Sequence, residues 1–354
     1  CLELRPELFW LNYRSNLRIF QDRTVPDIVL QVLQDAGIQG NRVRLELTGQ
    51  YPQRTYCTQF RETDLAFVER LLAEEGIFHF FEHSADRHTL VLADSNSSFK
   101  PLSGEASVRY KPRTGMVASA ESIYEFELLQ RVRSGKVSLR DFNFEKSRLQ
   151  LEQNAQAKTF SDLEDYAYPG HYLEPGEGKR YAGLRLQAHQ HDATVIQGQS
   201  DCARLAAGKT FTLSAHPRAN FNSTYSLTRV DMRGRQPQSL EENAGNEGTR
   251  FDVEFAGIPA GVVFRPPLRT QKPLAEGCQT AFVTGPAGEE IYTDPHGRIK
   301  IQFHWDRLGH HDETSSCWAR VSQGWAGNQW GALVLPRIGQ EVIVSFLHGD
   351  PDQP

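Results

Sequence analysis

HGRIKIQFHWD, at residues 296–306, alternates between two side-chain classes without a break from Arg298 onward. One class is apolar or aromatic and consists of Ile299, Ile301, Phe303 and Trp305. The other class is polar or charged and consists of Arg298, Lys300, Gln302, His304 and Asp306. Because successive side chains of a strand point to opposite faces, the stretch predicts a half-buried β-strand with an apolar face and a solvated face.

Further strand-like runs follow on both sides of this stretch. The runs are QTAFVTG, RIKIQFHW, CWARVSQ, ALVLP and EVIVSFL, and glycines lie at the bends between them. Five short strands within about 80 residues favour a Greek-key barrel of the OB type. Residues 266–277, PPLRTQKPLAEG, are rich in proline, and we place a domain boundary there.

Two amphipathic helices are predicted near the start of the chain. Residues 24–38 (TVPDIVLQVLQDAGI) and 63–77 (TDLAFVERLLAEEGI) each begin at a threonine N-cap, carry an apolar stripe and end at a glycine. Residues 147–178 are polar and are interpreted as a loop or an extended arm. Residues 179–201 fit either a short helix or a strand, and the pattern does not decide between them.

The composition argues against several function classes. The 354 residues carry 39 Lys and Arg against 44 Asp and Glu, which gives a formal net charge of −5. This balance is unfavourable for a protein that mainly binds nucleic acid, since such domains are usually basic. The five cysteines are scattered without CxxC spacing, which indicates reduced thiols. No run approaches the roughly 18 apolar residues of a membrane span.

A resemblance to a known family rests on residues 60–83 (FRETDLAFVERLLAEEGIFHFFEH), 285–306 (GPAGEEIYTDPHGRIKIQFHWD) and 315–354 (SSCWARVSQGWAGNQWGALVLPRIGQEVIVSFLHGDPDQP). These stretches resemble VgrG, the trimeric spike of type VI secretion, which is related to the hub and needle proteins of contractile phage tails. The resemblance covers nearly the whole chain. It implies a mainly β fold with a few short helices.

The same resemblance implies the domain organisation. Residues 1–270 would form a phage-hub-like region of barrel-like subdomains, and residues 271–354 would form a five-stranded OB-type barrel. A long β-prism needle would follow, and the earliest hub strands would precede Cys1. We therefore interpret the chain as a piece of a longer protein, cut at both ends.

The function implied by the resemblance is structural. Three copies would form a cell-puncturing spike that caps the Hcp tube hexamer, contacts baseplate components and carries a PAAR-type tip protein or effector proteins into target cells. The protein would be assembled in the bacterial cytoplasm and then secreted or injected. The solvated face of the strand predicted within residues 296–306 would lie at an interface between subunits, where Arg298 and Lys300 would pair with acids of a neighbouring copy.

We predict no enzymatic activity, no cofactor, and no catalytic, cofactor-binding or metal-binding residues. The alternatives are an oligonucleotide-binding OB protein and an effector enzyme whose activity lies in a missing C-terminal extension. Four tryptophans supply aromatic surfaces for the first alternative, namely Trp305, Trp318, Trp325 and Trp330. Against it, residues 296–354 contain five Lys or Arg and six Asp or Glu, whereas phosphate binding needs an excess of cations.

Further motifs have simpler structural interpretations. Residues 207–210 (AGKT) lack the glycine that a phosphate-binding loop requires at position 203, which is alanine here. His189 and His191 have the spacing to share a strand face, with Asp192 adjacent, and residues 310–312 (HHD) form a second cluster. A solvated surface is preferred over a metal site in both cases, because neither cluster brings a clear third ligand. The acidic pair at residues 74–75 is interpreted as solvated, and no GxSxG or HExxH motif is present.

Overall fold

The computed structural model describes residues 4–113, 121–235, 250–327 and 330–354. Within these ranges the chain is mainly β, with twenty-three strands and three α-helices, as the sequence predicts. The α-helices are α1 (Val25–Asp35), α2 (Asp64–Glu74) and α3 (Pro175–Gln190). Short 3-10 helices cover Glu7–Tyr13, Gly40–Arg42, Asn96–Ser98, Ala219–Phe221 and Leu347–Gly349.

The strands are numbered in chain order. Those in the first part of the chain are β1 (Ser15–Phe20), β2 (Arg23–Thr24), β3 (Val43–Glu46), β4 (Gln53–Arg54), β5 (Cys57–Thr63), β6 (Phe78–His83), β7 (His88–Ala93), β8 (Lys100–Pro101), β9 (Ser107–Tyr110), β10 (Ser122–Gln130) and β11 (Lys136–Asp141). Those that follow are β12 (Leu151–Gln156), β13 (Glu164–Ala167), β14 (Thr194–Ser200), β15 (Lys209–Ser214), β16 (Thr224–Arg235), β17 (Arg250–Pro259), β18 (Gln279–Thr284), β19 (Ile299–Phe303), β20 (Trp318–Ala319), β21 (Ala326–Gly327), β22 (Trp330–Gly331) and β23 (Glu341–Val344).

Helix α1 begins and ends where the sequence predicts. The Thr24 side chain accepts a hydrogen bond from the backbone N–H of Asp27 at 3.3 Å, and Pro26 lies in the first turn. Gly37 follows the helix with a φ of 81°, a conformation that glycine adopts without strain. Five residues of the predicted apolar stripe are fully buried, and the sixth, Ala36, is the half-buried C-cap. The five are Val25, Ile28, Val29, Val32 and Leu33.

The chain divides into two compact units. Unit 1 consists of Cys1–Gly40, Gln50–Leu72 and Arg269–Pro354, and unit 2 consists of Asn41–Gly49 and Ala73–Leu268. The first helix therefore belongs to the same unit as the C-terminal sheet. The division into a hub-like region over residues 1–270 and an OB domain over 271–354 stays a prediction.

Unit 2 contains a closed six-stranded barrel. Its strands follow the order β9, β10, β14, β17, β16 and β15, and β15 pairs again with β9 to close the ring. The interior is filled by large apolar side chains, among them Ile123, Phe211, Tyr225, Leu227 and Phe255. A closed ring leaves no free strand edges among its own members.

A three-stranded sheet in unit 2, in the order β12, β11, β13, packs against helix α3. Its core contains Val137, Leu139, Leu151, Tyr172 and Ala182. The prediction of a loop or extended arm over residues 147–178 was therefore wrong for β12 and β13. For residues 179–201 the sequence does not decide between a helix and a strand, and the structure contains both. Helix α3 ends at Gln190, and strand β14 begins at Thr194.

The C-terminal sheet of unit 1 has four strands in the order β20, β19, β18, β23. Its buried core consists of Ala281, Val283, Ile299, Ile301, Phe303, Ala319 and Val344. Of the five predicted strands, ALVLP at 332–336 forms no strand in the structure, because the apolar side chains of Leu333 and Val334 are exposed and have no core to face. No helix in the described ranges combines the length and apolarity needed to cross a membrane.

Candidate functional site

The apolar face of β19 lies in the core, as its alternation predicts. Ile299, Ile301 and Phe303 are buried between the neighbouring strands. The Phe303 ring stacks on Trp305 with 5.0 Å between centroids, and the Trp305 indole N–H donates to Oε1 of Gln279 at 2.8 Å. These aromatic side chains therefore stabilise the sheet, and their rings are not presented to a ligand.

The polar face of β19 is occupied by contacts within the chain. Arg298 Nε donates to Oδ2 of Asp294 at 2.6 Å, and Lys300 Nζ donates to the carbonyl oxygen of Ser316 at 2.8 Å. Gln302 is 1% exposed and donates to the carbonyl of Asp306. The expectation of a fully solvated face was wrong at Gln302. Arg298 and Lys300 are predicted to pair with acids of a neighbouring copy, but within the chain they already contact Asp294 and Ser316.

The electrostatics around this face follow from burial. Desolvation lowers the pKa of Lys300, whose ammonium group lies 5.1 Å from the centre of the Trp318 ring. Desolvation also raises the pKa of the Cys317 thiol to about 12, so the thiol stays protonated at neutral pH. Burial opposes ionisation of Asp294, but hydrogen bonds from Arg298 outweigh it and lower the pKa of Asp294.

An exposed apolar segment lies between strands β20 and β23 in the chain, and we define it as Trp325, Trp330, Leu333 and Val334. The two tryptophans are 73% and 58% exposed and meet edge to face, with 6.2 Å between ring centroids. Trp325 directly precedes β21, and Trp330 begins β22, which pairs antiparallel with β21. The Gln323 side chain fixes the backbone of Val334 by two hydrogen bonds of 3.0 and 2.9 Å. Exposed clusters of this kind commonly mark protein–protein contact surfaces.

The exposed apolar segment is poorly suited to nucleic acid. Residues 321–336 contain no Lys or Arg, whereas single-strand binding combines stacking aromatics with a basic groove. The other two tryptophans are engaged within the fold: Trp305 in the sheet core and Trp318 against Tyr292, with 5.1 Å between centroids. The four tryptophans named for oligonucleotide binding therefore do not form one surface: two pack within the fold and two are exposed.

The first histidine cluster is placed differently from expectation, whereas the second, at residues 310–312, lies in a loop with both histidines exposed. His189 lies in the last turn of α3 and His191 caps the helix, so the two do not share a strand face. His189 Nε2 lies 2.8 Å from Oδ2 of Asp165, and Asp192 accepts two hydrogen bonds from Arg133 at 2.7 and 2.6 Å. No group of three or more His, Cys, Asp or Glu in the described part of the chain is placed to hold a metal.

The AGKT stretch at residues 207–210 and the acidic pair at residues 74–75 are both parts of the folded structure. Gly208, in the AGKT stretch, has a φ of 79° and precedes β15. Of the acidic pair at residues 74–75, Glu75 is only 2% exposed, so its predicted solvation was wrong. Its carboxylate accepts hydrogen bonds from Arg180 at 2.6 Å and from Tyr181 at 3.1 Å, which sequence spacing alone does not reveal.

Comparison with known families covers most of the chain. The model described as "Phage tail baseplate hub (GPD)" matches residues 1–238. The model described as "Type VI secretion system/phage-baseplate injector OB domain" matches residues 289–354, which confirms the OB-type prediction for the C-terminal region.

Individual relatives agree with these matches. The type VI secretion system spike protein VgrG4b of Pseudomonas aeruginosa is 44% identical over 365 residues, covering 100% of this chain and 45% of the relative. The actin cross-linking toxin VgrG1 of Vibrio cholerae is 39% identical, covering 100% of this chain and 32% of the relative. The chain thus spans less than half the length of these two curated relatives.

A solved structure shows the same fold. It is the c3393 protein of E. coli, described as a component of the type VI secretion system with structural similarity to the T4 bacteriophage tail proteins gp27 and gp5. The TM-score is 0.68 at 21% identity, over 99% of this chain and 75% of that chain. The likeness supports a hub-like fold for the chain.

Proposed function

Because this chain belongs to the VgrG family of phage-tail-like hub proteins, we propose that it is a structural part of a type VI secretion spike. The observation that carries the proposal is the alignment of the whole chain with a type VI spike protein at 44% identity. The mainly β architecture agrees with this function, since hydrogen bonds across a closed barrel resist deformation and leave no edges for unwanted pairing.

The proposed spike is a homotrimer. The exposed apolar segment supports self-association, because it brings four exposed large apolar side chains together within residues 325–334, and clusters of this kind mark protein contact surfaces. Ile343 on β23 adds a further exposed apolar side chain in the same unit. Burial of these side chains against sister copies would contribute about 1.5–3 kcal/mol per fully covered residue.

The proposed partners are the Hcp tube hexamer, baseplate components, a PAAR-type tip protein and effector proteins. The spike would be assembled in the bacterial cytoplasm and then secreted or injected into target cells. The names of the relatives support this proposal, since they are type VI secretion spike proteins. The chain's net charge of −5 gives no support for a nucleic-acid partner.

We assign no enzymatic activity to these residues. One relative is named as an actin cross-linking toxin, and this chain corresponds to 32% of that protein's length. The alternative of an effector enzyme therefore concerns parts of a longer protein outside the aligned region. The absence of assigned catalytic, cofactor-binding and metal-binding residues stays a prediction.

The test is complementation of a secretion-deficient bacterium that lacks its own copy of the full-length gene. The intact gene is expected to restore release of Hcp into the medium and to yield a three-copy particle by native mass spectrometry. Trp325→Ser combined with Trp330→Ser is expected to reduce both. A matched control is Trp10→Ser, since Trp10 is also exposed but lies outside the exposed apolar segment. A full-length protein that stays a single chain at high concentration would contradict the proposal.

A further inference from the structure

Two histidines face each other across the hairpin formed by β6 and β7. The strands pair antiparallel, and the register places His83 directly opposite His88. The turn over residues 84–87 is closed by a 2.8 Å hydrogen bond from the N–H of Ser84 to the carbonyl of Arg87. Because hydrogen-bonded and non-hydrogen-bonded pairs alternate along such a ladder, the histidines occupy a non-hydrogen-bonded pair, where side chains approach most closely.

The two imidazole rings are supported from one side. Their centroids are 6.2 Å apart with an angle of 41° between the ring planes. Phe81 follows on the same face and lies 6.3 Å from the His83 ring and 5.8 Å from the His88 ring. His83 is exposed and His88 is half-buried, so the pair is accessible to solvent while Phe81 restricts the movement of both rings.

The separation of the rings fits a shared metal ion. A zinc–nitrogen bond of about 2.0–2.1 Å places the ion about 3.2 Å from the centre of a ligating imidazole, so two rings on one ion have centroids at most about 6.4 Å apart. The observed 6.2 Å lies just below this limit, which applies when the two nitrogens and the ion are collinear. Small rotations of the side chains would shorten it toward the ~5 Å of a tetrahedral ion.

The charged groups around the pair lie in the turn and on the opposite face of β6. The turn carries Asp86 and Arg87, whose formal charges cancel. Glu82 precedes His83 in β6, so its side chain points to the other face of the strand. Its carboxylate pairs there with Arg44 and, at longer distances of 3.6 and 3.8 Å, with Lys100 and Lys209, so these cations lie on the face away from His83.

We propose that His83 and His88 form a binding site for a divalent transition-metal ion that prefers imidazole ligands, such as Zn²⁺, Ni²⁺ or Cu²⁺. The protein supplies two ligands, and water completes the coordination. The ion bridges the ends of β6 and β7 and stabilises the hairpin by RT ln(1 + c/Kd), where c is its free concentration and Kd its dissociation constant. This site is independent of the proposed structural function.

The experiment is a titration of the untagged chain with Ni²⁺ and, separately, with Zn²⁺ by calorimetry, after alkylation of accessible thiols. The intact chain is expected to bind one equivalent. His83→Asn and His88→Asn are each expected to weaken binding at least about tenfold, which corresponds to about 1.4 kcal/mol, because a single imidazole remains. His171→Asn is the matched control, since asparagine tolerates its positive φ of 59°.

A second readout locates the ion. Zn²⁺ is expected to slow amide hydrogen exchange in β6 and β7 of the intact chain and to leave exchange in the His83→Asn chain unchanged. Both histidines lie at the turn end of the hairpin, outside its buried core, so the substitutions are not expected to prevent folding. Unchanged affinity in both histidine variants, or an equal loss in the His171→Asn control, would overturn the proposal.

Discussion

Arg70 and Glu62 form a two-point ion pair inside unit 1. Arg70 Nη2 lies 2.7 Å from Oε1 of Glu62, and Arg70 Nε lies 3.0 Å from Oε2. The side chains are only 1% and 5% exposed, and Arg70 also donates to the carbonyl oxygen of Thr58 at 3.0 Å. The pair therefore joins helix α2 to strand β5 by charged hydrogen bonds that are shielded from solvent.

Removing one partner of this pair leaves the other charge buried. Glu62→Ala is expected to lower the free energy of unfolding by about 3–5 kcal/mol, measured by urea denaturation. The double variant Glu62→Leu with Arg70→Met is expected to lose less than the single variant, because no unpaired charge remains. A loss in the single variant that is no larger than in the double variant would contradict the expected penalty for leaving Arg70 buried and unpaired.

Lys272 connects two carboxylates near the end of the chain. Its ammonium group lies 2.5 Å from Asp350 and 2.5 Å from Asp352, and Asp352 also accepts the backbone N–H of Thr58. Lys272→Met is expected to cost about 1.5–3 kcal/mol and to speed hydrogen exchange at the amide of Asp352. Lys146→Met is the control, because Lys146 pairs with Glu174 at an exposed site, where an ion pair contributes about 0–1 kcal/mol. Equal losses would contradict the prediction.

The thiols are expected to differ in reactivity. Burial raises the pKa of Cys317 to about 12, so almost no thiolate is present at pH 8. Cys278 is exposed. Iodoacetamide at pH 8 is therefore expected to modify Cys278 in the native protein and Cys317 only after denaturation, as read by peptide mass spectrometry. Modification of both at the same rate in the native protein would show that Cys317 is accessible.

His79 is expected to make stability depend on pH. Burial lowers its pKa below the ordinary value of 6.5, so the folded chain favours the neutral ring. The unfolded chain then binds more protons below about pH 6.5, and stability falls as the pH drops until the folded form is also protonated. His79→Gln is expected to reduce this loss between pH 7 and 5 in denaturation curves, whereas His171→Asn leaves it unchanged. An identical slope in His79→Gln would contradict the assignment.

The sequence predicts elements well where one face is strongly apolar. Strand β19 and helix α1 are recognised because Ile, Val, Leu and Phe occupy nearly all of their inward positions. Strand β12 is missed because its inward residues are Leu151, Gln153 and Ala155, and a half-polar inner face produces no clear alternation.

The sequence does not reveal side-chain contacts between residues that are far apart along the chain. Glu75 sits in an acidic run that is typical of a solvated helix end, yet it is buried against Arg180 and Tyr181. The cross-strand pair of His83 and His88 is readable from the sequence only once the turn over residues 84–87 is recognised. The exposed apolar segment shows the converse, since ALVLP has strand composition but no partner strand in the described ranges.

Unit 1 is built from chain segments that are far apart in the sequence, and this has a consequence for biosynthesis. Residues 1–40 and 50–72 need residues 269–354 to complete their compact unit, so they cannot finish folding while the ribosome is still translating the segment between. At about 5–20 residues per second this delay is on the order of ten seconds or more. During that interval the apolar stripe of α1 is open to chaperones and to aggregation, whereas unit 2 is largely synthesised and free to fold first.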